Sequence, residues 1–343
     1  MIKVGNVAIG GDSPISIQSM TNTDTRDFNS TLGQIRVLDI AGCEIVRIAV
    51  PDLEAAQVLP ELIPATDLPI IADIHFDYKL ALEAIKAGIS GLRINPGNIG
   101  SEQKVLKVIE ACRERKIPIR IGVNSGSIPK EMLKKYGHTA QALVESALYH
   151  VGILENVNYQ EIKISVKASS VNTTIDAYRL LAKKVDYPLH LGVTEAGTVF
   201  RGTIKSCLGI GTLLAEGIGD TIRVSLTANP VEEIRVAKEI LKSLDLRQGL
   251  DIISCPTCGR TEIDIIKLTE EIETKLEKYR DKNITVAIMG CIVNGPGEAS
   301  EADYGIAGGK KEGLLFKRGK ILKKVPEKNL VQALLDLIKT DAN

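Results

Sequence analysis

The sequence predicts an α/β protein in two parts: an N-terminal parallel (β/α)8 TIM barrel over residues 1–245 and a small C-terminal α/β domain over 246–343. Two observations carry this. Eight short β-rich runs alternate with longer amphipathic stretches across the first part, which is the strand–helix rhythm of a closed parallel barrel. The rhythm then breaks after "KEILKSLDLRQG", where glycine- and cysteine-bearing turns begin to follow the strands. A doubly wound sheet is the alternative, but it rarely runs to eight such regular units.

The strand candidates are, in order, "ISIQSM", "EIVRIAV", "PIIADIH", "GLRINPG", "IPIRIGVN", "EIKISVKAS", "PLHLGVTEAG" and "TIRVSLTA". Between them lie helical patterns such as "DYKLALEAIKAG", "SEQKVLKVIEACRERK" and "TTIDAYRLLAKK", several ending on glycine, a common C-terminal stop. In the C-terminal part "LDIISCPTC" and "ITVAIMGC" read as strands running into turns. "EIDIIKLTEEIETKLEKY" reads as a long amphipathic helix, "GLLFKRGKILKKV" as a hairpin and "LVQALLDLIK" as a closing helix.

Composition narrows the function. Hydrophobic residues make up 44% of the 343, enough for a large core, but aromatics are only 3% and tryptophan is absent. An aliphatic core follows, and a base-stacking platform for single-stranded nucleic acid does not. Lysine plus arginine equals aspartate plus glutamate at 43 each, which argues against a general nucleic-acid binder. The start lacks the apolar stretch of a signal peptide and no run is long enough to span a membrane, so a cytoplasmic protein with reduced thiols is expected. Of the six cysteines, Cys43, Cys112 and Cys207 fall in or beside helical patterns and read as buried, inert thiols.

Strand parity points to the chemistry. Side chains alternate between the two faces of a strand. The aliphatic face belongs under the helices, and the opposite face carries Arg47, Arg93, Arg120, Lys167 and Arg223. Five cations from five strands would converge on one mouth. They repel one another and lose hydration unless an anion joins them. Asp73 and Glu195 could neutralise two of the five. The remainder call for a polyanionic ligand, most simply a diphosphate, whose oxygens match the arginine fork. Asn95, Asn124, Thr194 and Ser225 would add neutral hydrogen bonds. Asp73 and His75 share one parity in "ADIHFD", a weak signal that a structural hydrogen bond explains equally well. Glu195 falls at the C-terminal end of strand seven, where barrel catalysts sit; a carboxylate base or hydrogen-bond partner is its expected role.

In the C-terminal part, Cys255 and Cys258 lie two residues apart in "CPTCGRTEID", and Cys291 follows in "MGCIVNGPGEA". A structural zinc site usually takes two close pairs of ligands, and the second pair is missing. An iron–sulfur cluster needs thiolates in turns whose backbone N–H groups bond the sulfurs, and these glycine- and proline-rich turns suit it. Three cysteines and one other ligand would leave one iron distinct. The nearest carboxylate after Cys291 in the same loop is Glu298.

These motifs, behind a barrel bearing "QSMTNTDTRD", "LRINPGN", "SVKAS" and "GVTEAG", resemble the 4-hydroxy-3-methylbut-2-enyl diphosphate synthase family of the non-mevalonate isoprenoid pathway, in its short bacterial form. The resemblance covers nearly the whole chain. It implies a 4Fe–4S cluster on Cys255, Cys258, Cys291 and Glu298. It implies reductive ring opening and dehydroxylation of 2-C-methyl-D-erythritol 2,4-cyclodiphosphate with two electrons. It carries substrate binding onto Arg47, Arg93, Asn95, Arg120, Asn124, Lys167, Arg223 and Ser225, and an active-site role onto Thr194, Glu195 and Asp73.

Two rivals stand beside it: a non-redox barrel binding a phosphorylated ligand with a zinc-stabilised appendage, and a pterin-binding barrel transferase, which lacks the three-cysteine domain. The basic stretch "KKEGLLFKRGKILKK" reads either as lysines guarding an edge strand or as a dock for an acidic flavodoxin or ferredoxin. Chain direction adds an expectation about assembly. Helix eight runs back to the lower face of the barrel near Leu246, about eight residues before Cys255, while the cations sit at the upper face. A head-to-tail homodimer, each small domain capping the partner's barrel, is the simplest arrangement, with the short linker as a hinge.

Overall fold

The computed structural model describes the chain except for residues 96–98, 100, 292–296, 298 and 343. It divides into two compact units, Met1–Leu246 and Arg247–Asn343. A hairpin absent from the sequence reading comes first, β1 (Ile2–Val4) and β2 (Val7–Ile9). Eight parallel strands follow: β3 (Ser16–Met20), β4 (Ile45–Ala49), β5 (Ile70–Asp73), β6 (Gly91–Ile94), β7 (Ile119–Asn124), β8 (Ile162–Lys167), β9 (His190–Leu191) and β10 (Thr221–Ile222). They pair in the order β8-β7-β6-β5-β4-β3-β10-β9, and a bridge between Ile164 and Leu189 joins the two ends into a barrel.

The helices start where side chains relieve the free N–H groups of the first turn. Asp27 accepts from Ser30 N–H at 3.0 Å, Asp52 from Ala55 N–H at 3.0 Å and Asp77 from Lys79 N–H at 2.9 Å. Two of them stop at Gly42 and Gly88, both in the left-handed region at φ 95° and 97°. Their buried faces meet the outward faces of the strands in one aliphatic core, with Ile35, Leu59, Val108, Leu154 and Leu181 against Val46, Ile94, Ile121 and Ile164. Each such side chain contributes roughly 1.5–3 kcal/mol on burial. The core therefore fixes which strand face is left to look inward.

The last two barrel strands are shorter than their sequence runs. Register pairing of β10 with β3 ends at Ile222, although Arg223 N–H still donates to Leu191 O at 3.0 Å, and beyond it Glu233 from the helix Pro230–Lys242 reaches in. Its Oε1 accepts the Leu226 N–H at 3.0 Å and its Oε2 accepts the Ser19 hydroxyl at 3.0 Å, so one side chain stands where β3 and β10 part.

The C-terminal unit is a five-stranded mixed sheet: β11 (Asp251–Ser254), β12 (Thr285–Met289), β13 (Tyr304–Gly308), β14 (Glu312–Lys317) and β15 (Lys320–Pro326). The first three are parallel and the last two antiparallel. Helices Ile265–Leu276 and Leu330–Ala342 cover one face through Ile272, Leu276, Leu334 and Ile338, which meet Val286, Ile288 and Ile306. No helix among the described residues is long and apolar enough to cross a membrane. Cys43 and Cys112 are buried, but Cys207 is exposed, contrary to the sequence reading. It opens a π-helical stretch, Cys207–Gly211, whose wider turn rotates its side chain off the core-facing stripe.

Candidate active site

The inward strand face forms a cavity of about 190 Å³ in the barrel. Arg47, Asp73, Arg93, Arg120, Asn124, Lys167, Thr194, Arg223 and Ser225 line it, all of them singled out by parity or motif, and His75 and Ser165 join them. Asn95 is buried one residue beyond β6. Inward glycines make room for the long cations. A Cβ on Gly122 would stand 3.0 Å from Arg93 Nε, and one on Gly192 would stand 2.4 Å from Lys167 Nζ.

Charge in the cavity is unbalanced. Asp73 bridges two cations, 2.8 Å from Arg93 Nη1 and 3.5 Å from Arg47 Nε. Burial alone would raise its pKa, but Arg47, His75, Arg93 and Arg120 outweigh that and hold the carboxyl well below the usual carboxylate range. Arg93 Nη1 also donates to His75 Nε2 at 2.6 Å, a direction set by arginine having only donors. Glu233 lies 3.7 Å from Arg223 Nε. Five cations thus face two carboxylates, Asp73 and Glu233. Burial, then the neighbouring guanidinium groups, push Arg120 and Lys167 well below their ordinary values. Arg47 falls to about 9 for the same reasons and otherwise leans on the Met20 thioether, 2.9 Å from Nη2, a weak acceptor without charge.

Glu195 is not part of this wall. It is solvent-exposed, with its backbone at φ 52°, and forms no ion pair among the described residues. The second neutralising carboxylate is Glu233, which sequence reasoning missed because "PVEEIRV" reads as the ordinary acidic first turn of a surface helix. Lys163 shares the face of Lys167 on β8 and is deeply buried, together with His190.

The cysteines of the C-terminal unit sit at the ends of two adjacent parallel strands. β11 and β12 pair in register up to Ser254 and Ile288, and Cys255 N–H donates to Ile288 O at 3.2 Å. Cys255 and Cys291 therefore leave the sheet at the same end. Gly290 N–H donates to Cys255 Sγ at 3.1 Å. The turn carrying Cys258 folds back through Glu262 N–H to Gly290 O at 3.1 Å, and a Cβ on Gly290 would meet Thr261 Cγ2 at 3.0 Å. The pKa of the Cys258 thiol is lowered, first by the Arg260 backbone N–H, against a burial cost that comes next, and further by Thr261. Cys258 is exposed and Cys255 and Cys291 are half-buried. Among the described residues no three His, Cys, Asp or Glu side chains gather closely enough to hold a single ion. Glu298 lies outside the described residues.

Comparison with known proteins now decides the family. A family model described as the GcpE TIM-barrel domain matches residues 1–238, and one described as the GcpE protein C-terminal domain matches 251–340. The chain belongs to the GcpE family. Curated relatives carry the name 4-hydroxy-3-methylbut-2-en-1-yl diphosphate synthase (flavodoxin). The protein of Clostridium acetobutylicum is 63% identical over 97% of this chain and 96% of its own. That of Geobacter sulfurreducens is 62% identical over 97% of this chain and 95% of its own. Membership makes the chain an enzyme, an oxidoreductase of isoprenoid biosynthesis. Among solved structures, a dihydropteroate synthase of Coxiella burnetii in complex with pteroic acid aligns with 69% of this chain and 94% of its own. Its TM-score is 0.51 at 13% identity, a likeness of fold alone. The GcpE family's C-terminal domain separates this chain from the pterin-barrel rival.

Proposed function

We propose that this GcpE-family chain converts 2-C-methyl-D-erythritol 2,4-cyclodiphosphate to 4-hydroxy-3-methylbut-2-enyl diphosphate by two-electron ring opening and dehydroxylation. The observation that carries the reading is the charge count: five inward cations around one small cavity against two carboxylates. A cyclic diphosphate supplies the missing negative charge, and guanidinium forks fix both phosphates while the carbon skeleton reacts.

The cysteine turns fit an iron–sulfur cluster. Cys255 and Cys258 have backbone donors at their sulfurs, and those at Cys258 lower its pKa below the ordinary thiol value. Cys255, Cys258 and Cys291 would hold it with Glu298 as fourth ligand. When bound, a 4Fe–4S cluster supplies electrons and a Lewis-acidic iron. The protein's own part is binding, orientation and proton movement. Asp73 is locked as an anion between Arg47 and Arg93, so its role is to aim those cations, not to give up a proton. Glu195, outside the cage wall and free of ion pairs among the described residues, is the carboxyl available to carry the proton that leaves with the hydroxyl as water. Thr194 would orient the substrate, with Asn95, Asn124 and Ser225 as neutral partners.

The relatives' printed names support flavodoxin as electron donor; ferredoxin is the other acidic donor the basic stretch 310–324 would suit. A head-to-tail homodimer in the cytoplasm completes the reading. Anaerobic incubation of the iron-loaded protein with the cyclodiphosphate and reduced flavodoxin should yield the open-chain allylic diphosphate. An iron-loaded protein that reduces nothing while binding the cyclodiphosphate would overturn the assignment in favour of the non-redox rival.

A further inference from the structure

Beneath the cage the barrel holds a second polar layer that the proposed reaction does not use. Ser16, Gln18, Lys163, His190 and Thr221 are each at most 2% exposed. Neither ring nitrogen of His190, neither end of the Gln18 amide, nor Lys163 Nζ or the two hydroxyls finds a hydrogen-bond partner among the described protein groups. Register makes them one layer. His190 pairs with Thr221 and Thr221 with Ser16, while Lys163 pairs directly with Arg120 of the cage. The layer is sealed below by the N-terminal hairpin, whose Ile2, Val4 and Ile9 pack on Ile45 and Ile71.

Lys163 is the cationic side chain of this layer. The charged groups acting on it are Arg120 from β7 and Arg47 from β4, with Asp220 the opposing charge, and it acts in turn on His190 from β9. Asp220 already accepts the Leu189 N–H at 2.7 Å. Burial first, then Arg120 and Arg47, push the Lys163 ammonium down to about 7, with Asp220 pulling the other way. His190 is driven well below its ordinary value by burial and then by Lys167 and Arg120, so it stays neutral. An anion held by Arg120 offsets the positive field that Lys163 feels.

We propose that Lys163 is a proton-uptake site coupled to the cage: it is largely neutral when the cage holds only solvent at mildly alkaline pH, and it takes up a proton when a diphosphate enters. This rests on reading the cage as a diphosphate site, and it deepens that reading. The polar layer accepts the extra charge through Gln18, Ser16 and Thr221, whose dipoles are not committed elsewhere, joined by ordered water as buried polar groups require.

The test is calorimetry of inorganic pyrophosphate binding to the full-length protein at pH 8 in buffers of different ionisation heat. Wild type should take up about half to one proton more per site than Lys163→Met. An equal proton count in the two proteins would overturn the inference while leaving the cage intact. Absence of pyrophosphate binding to wild type would instead remove the cage reading on which it rests. Should Lys163→Met fail to fold, Lys163→Arg takes its place in a second measurement. With ¹³C-labelled lysine, the Cε signal of wild type that is missing from Lys163→Arg should have the neutral shift at pH 8 and move to the charged position on adding pyrophosphate. Lysine signals that are all charged in the free protein would refute the proposal.

Discussion

The barrel mouth and the cysteine turns solve opposite problems. In the barrel, charge is buried before any ligand arrives: Arg120 is 3% exposed and Lys167 7%, and packing from eight strands keeps them there. In the C-terminal unit the thiols are exposed or half-buried, held by turns at two strand ends and by single N–H contacts to sulfur. The first is a preformed cage that spends folding energy to hold like charges together. The second, in the proposed function, is a set of ligands that a cluster would complete. A substitution in the cage should therefore change ligand affinity and stability, whereas one in the turns should change cofactor content.

The largest effect is expected at the turns. Cys291→Ala should lose bound iron and all turnover while still binding pyrophosphate with wild-type affinity. Iron analysis beside calorimetry checks this, and retention of a full complement of iron would remove Cys291 from the ligand set. Next comes proton delivery. Glu195→Gln should lower kcat by roughly 10²–10⁴-fold, the usual worth of a positioned acid or base, with KM and iron content little changed. An unaltered kcat would pass the role to another group.

In the cage, Arg120→Ala should cost about 2–5 kcal/mol of pyrophosphate binding, the typical cost of breaking a buried charge contact, without loss of iron. Asp73→Asn tests stability. Its folded pKa is depressed, so the stability it contributes is fully present above the unfolded value of about 3.9 and is lost as pH falls below it. At pH 7 the variant should be destabilised by roughly 3–5 kcal/mol, as when a buried ion pair loses one partner, and the gap from wild type should shrink below pH 4. A gap independent of pH would mean that Asp73 acts through packing. The smallest effect belongs to exposed Cys207, where replacement by Ser should change stability by no more than about 0.5 kcal/mol.

The same contrast explains what could be read from the chain. Strand parity was enough to gather Arg47, Arg93, Arg120, Lys167 and Arg223, because period two is strict and the helices claim the aliphatic face. It could not find Glu233, whose reach into the barrel depends on β3 and β10 parting above Ile222. Nor could it show that Glu195, one residue beyond Thr194, leaves the wall through a left-handed backbone. The hairpin that plugs the barrel floor went unread because three-residue strands carry too little periodicity. In the C-terminal unit, spacing pointed to the cysteines, but their shared edge came only from the parallel pairing of β11 with β12.

In the proposed function the two sites serve one redox reaction. Protein prepared anaerobically should be brown and contain about four iron and four sulfide per chain, as a 4Fe–4S centre requires, with the colour bleaching on reduction and returning when the cyclodiphosphate is added. A colourless protein holding one tightly bound zinc per chain, with the cage still binding pyrophosphate, would contradict it.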